Sequence, residues 1–347
     1  MPQLRRDPVG GRWVIISEER STRPGDFSRP GPRRQGGFCP FCEGNEDSTP
    51  AEVLAERRDG SRKDEEGWTI RVVPNKYPAL RAEGAVEEEN GGDIYHTMSG
   101  LGHHEVFIEG PRHLLSLSEL PIDTVEKLMN AYRSRMKELK EDGRMVYALV
   151  FKNVGREAGA SLEHSHSQLI CTPVVPKRVG EEVDRCEEFY EFHGKCLLCD
   201  LAERELEAGE RIVVESDNFV VITPYASRFP FEMSLIPRDH LCHYEETSVE
   251  LMGELAEVLQ EAIARLDRVL EDPPYNYVLH TTPFTVGRLK HYHWHIEIIP
   301  RLTHVAGFEW GTGFYINPVI PAEAARSLRE ADLERDKEPK MAMASEL

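Results

Sequence analysis

The chain has 347 residues, 40% of them apolar, enough to bury a core as two ordinary domains or as one large domain built from two halves. Its formal net charge of −19 argues against holding nucleic acid or an anionic membrane by bulk electrostatics, so a phosphorylated ligand needs a local pocket. The opening "MPQLRRDPVGGRWVII" lacks the apolar run of a secretory signal, and no stretch approaches the roughly 18 apolar residues of a membrane span; the expectation is a soluble, cytoplasmic protein.

In chain order, Cys39 and Cys42 form a C-x-x-C pair in a Pro/Gly-rich loop, "FCPFCEGN". "WTIRVVPNKYPAL" reads as extended, and "HHEVFIEGPRH" as strand-like, ending in His113. In "LPIDTVEKLMNAYRSRMKELKEDG", Val125, Leu128, Met129, Tyr132, Met136 and Leu139 recur at helical spacing. This predicts a helix with Asp123 as N-cap, Glu126 completing the capping pattern and Gly143 closing the end. A β-rich run, "MVYALVFKN", a Gly-containing loop and "HSHSQLICTP" follow. The charged stretches "ERRDGSRKDEEG" and "RAEGAVEEENGGD" are expected to be mobile loops.

The same order of parts then returns. Cys196 and Cys199 form a second C-x-x-C pair, running into a helix-like "DLAERELEAG". "NFVVITPYASRFP" is extended, and "FEMSLIPRDH" is strand-like, ending in His240. A long helix pattern is stopped by Pro273 and Pro274, and "YNYVLHTT" and "HYHWHIEIIPR" are strand-like. The spacings agree: 51 residues separate His113 from His164, and 53 separate His240 from His293. An offset of 129 relates both His164 to His293 and His166 to His295. The fold expected is α+β: two related halves, each an antiparallel-rich sheet with one long helix, forming one duplicated structure. The first half spans 1–178, the second 179–332, and a tail that frays covers 333–347.

Seven cysteines, with two C-x-x-C pairs and Cys171, Cys186 and Cys242 left over, read as metal binding before redox chemistry, not as a disulfide framework. The repeat assigns one ligand set to each half: Cys39, Cys42, His113 and His164, then Cys196, Cys199, His240 and His293. Four N/S ligands make the closed tetrahedral set of structural zinc, two zinc ions per chain, with iron an option for the second. Alternatives are a single all-thiolate site from both cysteine pairs, His103 or His104 in place of His113, and His291 or His295 in place of His293.

With His164 given to a metal, His166 is left as a neutral imidazole whose lone pair can act as a nucleophile. Upstream, "NVGREAGAS" offers Gly155 and Gly159 for close backbone approach to a phosphate, with Ser161 as a donor. Gln168 is a further uncharged donor, and donors around a nucleophile suit attack at phosphorus. The purely structural alternatives are solvated loop charges for Arg20 and Arg23, a turn cap for Asn75 and a strand-end turn residue for Asn153.

The run G-A-S-x-x-H-x-H-x-Q resembles the signature of the galactose-1-phosphate uridylyltransferase family, a branch of the histidine-triad superfamily. The likeness extends over roughly residues 7 to 330, through "DPVGGRWVIISEERSTRP", "CPFC", "VVPNKYPAL", "EGPRH", "FKNVGREAGASLEHSHSQ", "HWHIEIIPR" and "GFEWGTGFYINPV". Segments such as "DPPYNYVLHT" and "GTGFYINP" are similar to the subgroup that includes plant ADP-glucose phosphorylase. The resemblance implies that the two halves are histidine-triad-like and that His166 attacks the α-phosphorus of a nucleotide sugar to form a nucleotidyl-histidine. Gln168 then contacts the transferred group, Asn153, Gly159 and Ser161 contact phosphate, and Asn75 contacts the nucleotide. Arg20 and Arg23 lie near the phosphates, in some members across a dimer interface. After the last strand the transferases carry a glutamine for the sugar phosphate, and here "GTGFYINPV" offers Asn317 nearby instead. Ser165 stands where the common motif has proline, H-P-H-x-Q. The expected activity is uridylyl transfer from UDP-glucose to galactose 1-phosphate in galactose metabolism, by a homodimer. The alternative is a nucleoside-diphosphate-glucose phosphorylase, of ADP-glucose, using the same His166; a zinc scaffold without activity is the remote one.

Overall fold

The structure, a computed structural model, describes residues 1–17, 37–58, 60–91 and 94–333. The first half comprises β1 (Gln3–Arg6), β2 (Trp13–Ile16), β3 (Leu54–Arg57), β4 (Trp68–Pro74), β5 (Glu88–Gly91), β6 (Tyr95–Met98), β7 (His103–Ile108), α1 (Ile122–Lys140), β8 (Tyr147–Val154) and β9 (His166–Thr172). Two helices follow, α2 (Lys177–His193) and α3 (Leu197–Ala208). The second half continues with β10 (Ile212–Glu215), β11 (Phe219–Ile222), β12 (Met233–Pro237), α4 (Leu251–Leu270), β13 (Tyr275–His280), β14 (His295–Pro300), α5 (Gly307–Thr312), β15 (Tyr315–Asn317) and α6 (Pro321–Arg329).

Among the described residues, ten strands form one sheet in the order β10-β11-β12-β14-β13-β8-β9-β7-β4-β3, antiparallel at every junction. The order is the same read outward from either side of the centre, where β8 and β13 pair with Val150 opposite Leu279. The duplicated α+β architecture expected from the spacings is therefore present as one continuous sheet. The apolar stripes of α1 and α4 pack on one face, joining Leu128, Tyr132 and Met136 to Leu255, Leu259 and Leu266 in a shared core with Phe107, Val150 and Leu169. A smaller sheet, β1-β2-β15, pairs Asn317 with Ile16 and brings the two ends of the described chain together.

The start of α1 differs from expectation. Pro121, with φ −58°, precedes Ile122, and its carbonyl takes the first turn's amides, Thr124 at 2.9 Å. Asp123 thus lies inside the first turn, where it pairs with Lys127 at 3.2 Å, and α1 ends at Lys140 before Gly143. The charged stretches are partly ordered as well. Asp64 accepts from the Glu52 amide at 2.7 Å and pairs with Arg71, and Glu88–Gly91 forms a hairpin with Tyr95–Met98. No described helix is long and apolar enough to cross a membrane.

Candidate active site

Strand alternation decides what β9 shows to each face. Ser167 and Leu169 point toward α1, where the Ser167 hydroxyl meets the Tyr132 hydroxyl at 2.5 Å. His166 and Gln168 therefore point to the opposite face, beside Ile108 and Val106, their register partners on β7. The Nδ1–H of His166 donates to the His164 carbonyl at 2.7 Å, which leaves Nε2 with the lone pair. Burial pushes this imidazole's pKa below its ordinary value, favouring the neutral form that a nucleophile needs. The Phe41 ring packs edge-on against it, centroids 5.3 Å apart.

His164 precedes the strand and faces elsewhere. Its Nε2–H donates to the Gly110 carbonyl at 2.9 Å, turning Nδ1 toward Cys39 and Cys42, each sulfur 3.6 Å away. His113 Nδ1 lies 3.5 Å from Cys42 Sγ. A zinc ion with bonds of about 2.3 Å to sulfur and about 2.0 Å to nitrogen sets a tetrahedral S–N edge of about 3.5 Å, so the four residues fit that ion. The second set, Cys196, Cys199, His240 and His293, converges in the same way, all ligand atoms within 4.8 Å of one another. His240 Nδ1 is 3.5 Å from Cys199 Sγ while its Nε2–H donates to the Leu289 carbonyl. His293 donates from Nδ1 to the Trp294 carbonyl, leaving a buried Nε2 without a protein partner, as a metal ligand would be.

The structure thus gathers His113 and His293 into these sets and not their neighbours. His103 pairs with Asp142 at 3.5 Å, and His104 bonds Gln168. His295 stacks flat on His280, 4.8 Å between centroids, and the His291 carbonyl accepts from the Cys196 thiol. The two cysteine pairs stand in separate clusters, not in one all-thiolate site.

The loop after β8 turns at two glycines. Gly155 has φ +81°, and a Cβ there would lie 2.8 Å from Pro274; Gly159 has φ +90°. Both conformations belong to glycine. Asn276 of β13 holds the loop by donating to Asn153 Oδ1 and to the Ala158 carbonyl, each at 2.8 Å. The Asn153 amide nitrogen is left beside Gly159, and Ser161 lies exposed between the loop and His164. Across the site, Gln168 Oε1 accepts from His104 Nε2 at 2.8 Å, with the Asn75 amide nitrogen 3.5 Å away.

His166 and Gln168 thus share one face of β9, with Asn75 beside Gln168, while Asn153 lies beside Gly159 at the end of β8. Asn317 is placed apart from them. It is buried, its amide nitrogen donates to Ser227 and Phe229, and its oxygen accepts from the Val319 amide. Its position is architectural, because both ends of its side chain are bonded within the chain. Arg20 and Arg23 lie outside the described residues.

Three features escape a reading of the sequence. His104 shares the site face because it lies two residues before Val106 on β7. Behind His166, the buried Lys152 ammonium donates to Glu109 at 2.5 Å, to Ser165 at 2.9 Å and to the His166 carbonyl at 3.1 Å. Burial opposes ionisation of Glu109, yet Lys152 holds its pKa below the usual carboxylate range. In the second half, Glu182, His280 and His295 bring three buried polar side chains together, His295 standing in the place of His166. Burial works against a charged His280, but Glu182 and Glu297 lift its pKa to about 10. Burial, with His280 adding to it, pushes His295 down to about 4. Glu297, in the place of Gln168, binds Arg228 at 2.8 Å, so this copy is closed by ion pairs.

The duplicated antiparallel sheet thus carries a histidine of a Cys/His cluster, a second histidine two residues on, and a glycine loop. The N-terminal domain of galactose-1-phosphate uridyl transferase matches residues 1–176, and the C-terminal domain of the same family matches 182–313. The chain belongs to this family of nucleotidyltransferases. It is 37% identical over 340 residues to ADP-glucose phosphorylase of Arabidopsis thaliana, covering 96% of this chain and 93% of that protein. It is 31% identical over 342 residues to galactose-1-phosphate uridylyltransferase of Thermotoga maritima, covering 96% and 100%. The crystal structure of an Arabidopsis ADP-glucose phosphorylase with bound ADP-glucose superposes with a TM-score of 0.81 at 35% identity, covering 96% and 99%.

Proposed function

We propose that the protein transfers a nucleotidyl group from a nucleoside-diphosphate sugar to a phosphate acceptor through His166. The observation that carries this is the bond from His166 Nδ1–H to the His164 carbonyl, which leaves the lone pair on Nε2, with Gln168 on the same face of β9. Nε2 attacks the α-phosphorus, forming an N–P bond, and the P–O bond to the sugar 1-phosphate breaks with its electron pair leaving on that product. The Nδ1 proton stays on the ring, where the His164 carbonyl stabilises the imidazolium that develops. An oxygen of the acceptor phosphate then attacks the same phosphorus, the N–P bond breaks, and neutral His166 returns. Ping-pong kinetics follow.

Each Cys/His set would hold one zinc, a closed four-ligand ion that fixes loops and, in the first half, His164. Iron is the option kept for the second set. Asn75, Asn153, Gly159 and Ser161 are assigned to the nucleotide and its phosphates, with Arg20 and Arg23 supplying charge in a homodimer. The likeness to the Thermotoga uridylyltransferase supports UDP-glucose as donor with galactose 1-phosphate as acceptor. The likeness to the Arabidopsis phosphorylase, at 37% identity, supports ADP-glucose as donor with inorganic phosphate as acceptor. One incubation separates them: protein labelled by either donor is chased with each acceptor, and release of label into UDP-galactose or into ADP names the reaction. Retention of label under both chases would contradict transfer to a phosphate acceptor.

A further inference from the structure

Gln168 has two ends of nearly equal size, and only one suits a phosphoryl group. Its NH2 donates to an anionic oxygen; its carbonyl oxygen repels one. Something must hold the amide in the useful orientation, and strand geometry alone does not, because the terminal torsion of glutamine is soft.

The bonds around His104 supply that control. The backbone amide of Ala79 points at His104 Nδ1 at 3.1 Å. A backbone N–H only donates, so Nδ1 carries the lone pair and the proton of the neutral ring sits on Nε2. That Nε2–H faces Gln168 Oε1 at 2.8 Å. Asn75 is oriented by its own turn: its Oδ1 accepts from the Tyr77 amide at 2.9 Å, which directs its NH2 to the same Gln168 oxygen. The 3.1 Å approach of Asn75 Nδ2 to His104 Nε2 is then a contact between two donors aimed at one acceptor. Two donors thus converge on Oε1, and among the described residues no protein acceptor takes the Gln168 NH2.

We propose that His104 is a positioning residue: through a tautomer set by the Ala79 amide, it locks the Gln168 amide so that its NH2 faces the transferred nucleotidyl group. This rests on the reading of His166 as nucleophile and Gln168 as its donor. A flipped Gln168 would place two N–H groups against two donors and an oxygen against the phosphoryl charge.

The test is a double-mutant cycle on single-turnover labelling of His166, using ADP-glucose and UDP-glucose labelled at the α-phosphate. His104→Phe keeps a ring and removes the donor. Its labelling rate should fall about 10- to 100-fold, with half-saturating donor concentration changed less than about threefold. In a Gln168→Ala background the same substitution should cost less than about threefold, because the group it positions is gone. His104→Gln, which keeps a donor, should recover at least about a third of the wild-type rate. Full additivity in the cycle, or labelling of His104→Phe at the wild-type rate, would overturn the proposal. Should His104→Phe not fold, as judged by metal content and melting temperature, His104→Leu carries the same cycle. Absence of label on His166 in the wild type, or Gln168→Ala labelling at full rate, would instead remove the underlying reading and this inference with it.

Discussion

The Ser165 hydroxyl donates to the Glu109 carboxylate at 2.6 Å, from a position between His164 and His166. The Ser165 backbone is held as well, its amide by the Leu114 carbonyl at 2.7 Å and its carbonyl by the Glu109 amide at 3.1 Å. Hydrogen bonds thus fix the segment where the common family motif has a proline ring.

Lys152 and Glu109 are fully buried and form an ion pair with each other. Lys152→Met should therefore destabilise the fold by about 3–5 kcal/mol, because it leaves a buried carboxylate uncompensated. Lys152→Met combined with Glu109→Gln should recover most of that loss, since neither charge remains. Urea unfolding of the single and double variants checks this, and a double variant as unstable as the single one contradicts it.

Substitution in the second Cys/His set tests whether each set holds its own metal. Cys196→Ser or Cys199→Ser should lower bound zinc from about two to about one per chain, because the two sets share no residue. Metal analysis of purified protein reads this directly. Undiminished metal in both variants would show that the second set holds none.

Asp267 on α4 accepts from the hydroxyls of Ser116 and Ser118, each at 2.6 Å, on the loop that follows His113. Burial raises its pKa from 3.8 to about 6, and Asp272 and Glu119 push the same way. The folded state therefore holds an extra proton between these values. Its stabilising effect is complete below about pH 4 and is lost as pH rises through about 6. Asp267→Asn should thus gain about 2–3 kcal/mol over wild type on going from pH 4 to pH 7. Urea midpoints of both proteins across that range give the answer; a difference independent of pH contradicts it.

Much of the fold was legible because spacing reports topology. The paired distances between histidines, and the apolar stripes of the two long helices, foretold the duplicated sheet with α1 and α4. The helix Lys177–His193 was not foreseen, as its few apolar positions, Val179, Val183, Cys186 and Phe189, lie among charged residues. Asp123 misled because a good N-cap residue two places after Pro121 falls inside the helix that the proline starts. At the site, the two Cys/His clusters were legible from the repeat, since matched spacings in a duplicated fold bring equivalent side chains to equivalent places. Lys152, Glu109 and His104 could not be read, because their partners lie on adjacent strands and only register brings them together. Asn317 shows the converse: a polar residue in a suggestive loop whose amide is bonded within the chain.

The fate of the α-phosphorus tests the role of His166 most directly. Incubation with UDP-glucose or ADP-glucose labelled at that atom should give acid-labile, base-stable label on the wild-type protein, mapped to His166 and absent from His166→Ala. No label from either donor would contradict the covalent step, and label persisting in His166→Ala would place the nucleophile on another residue.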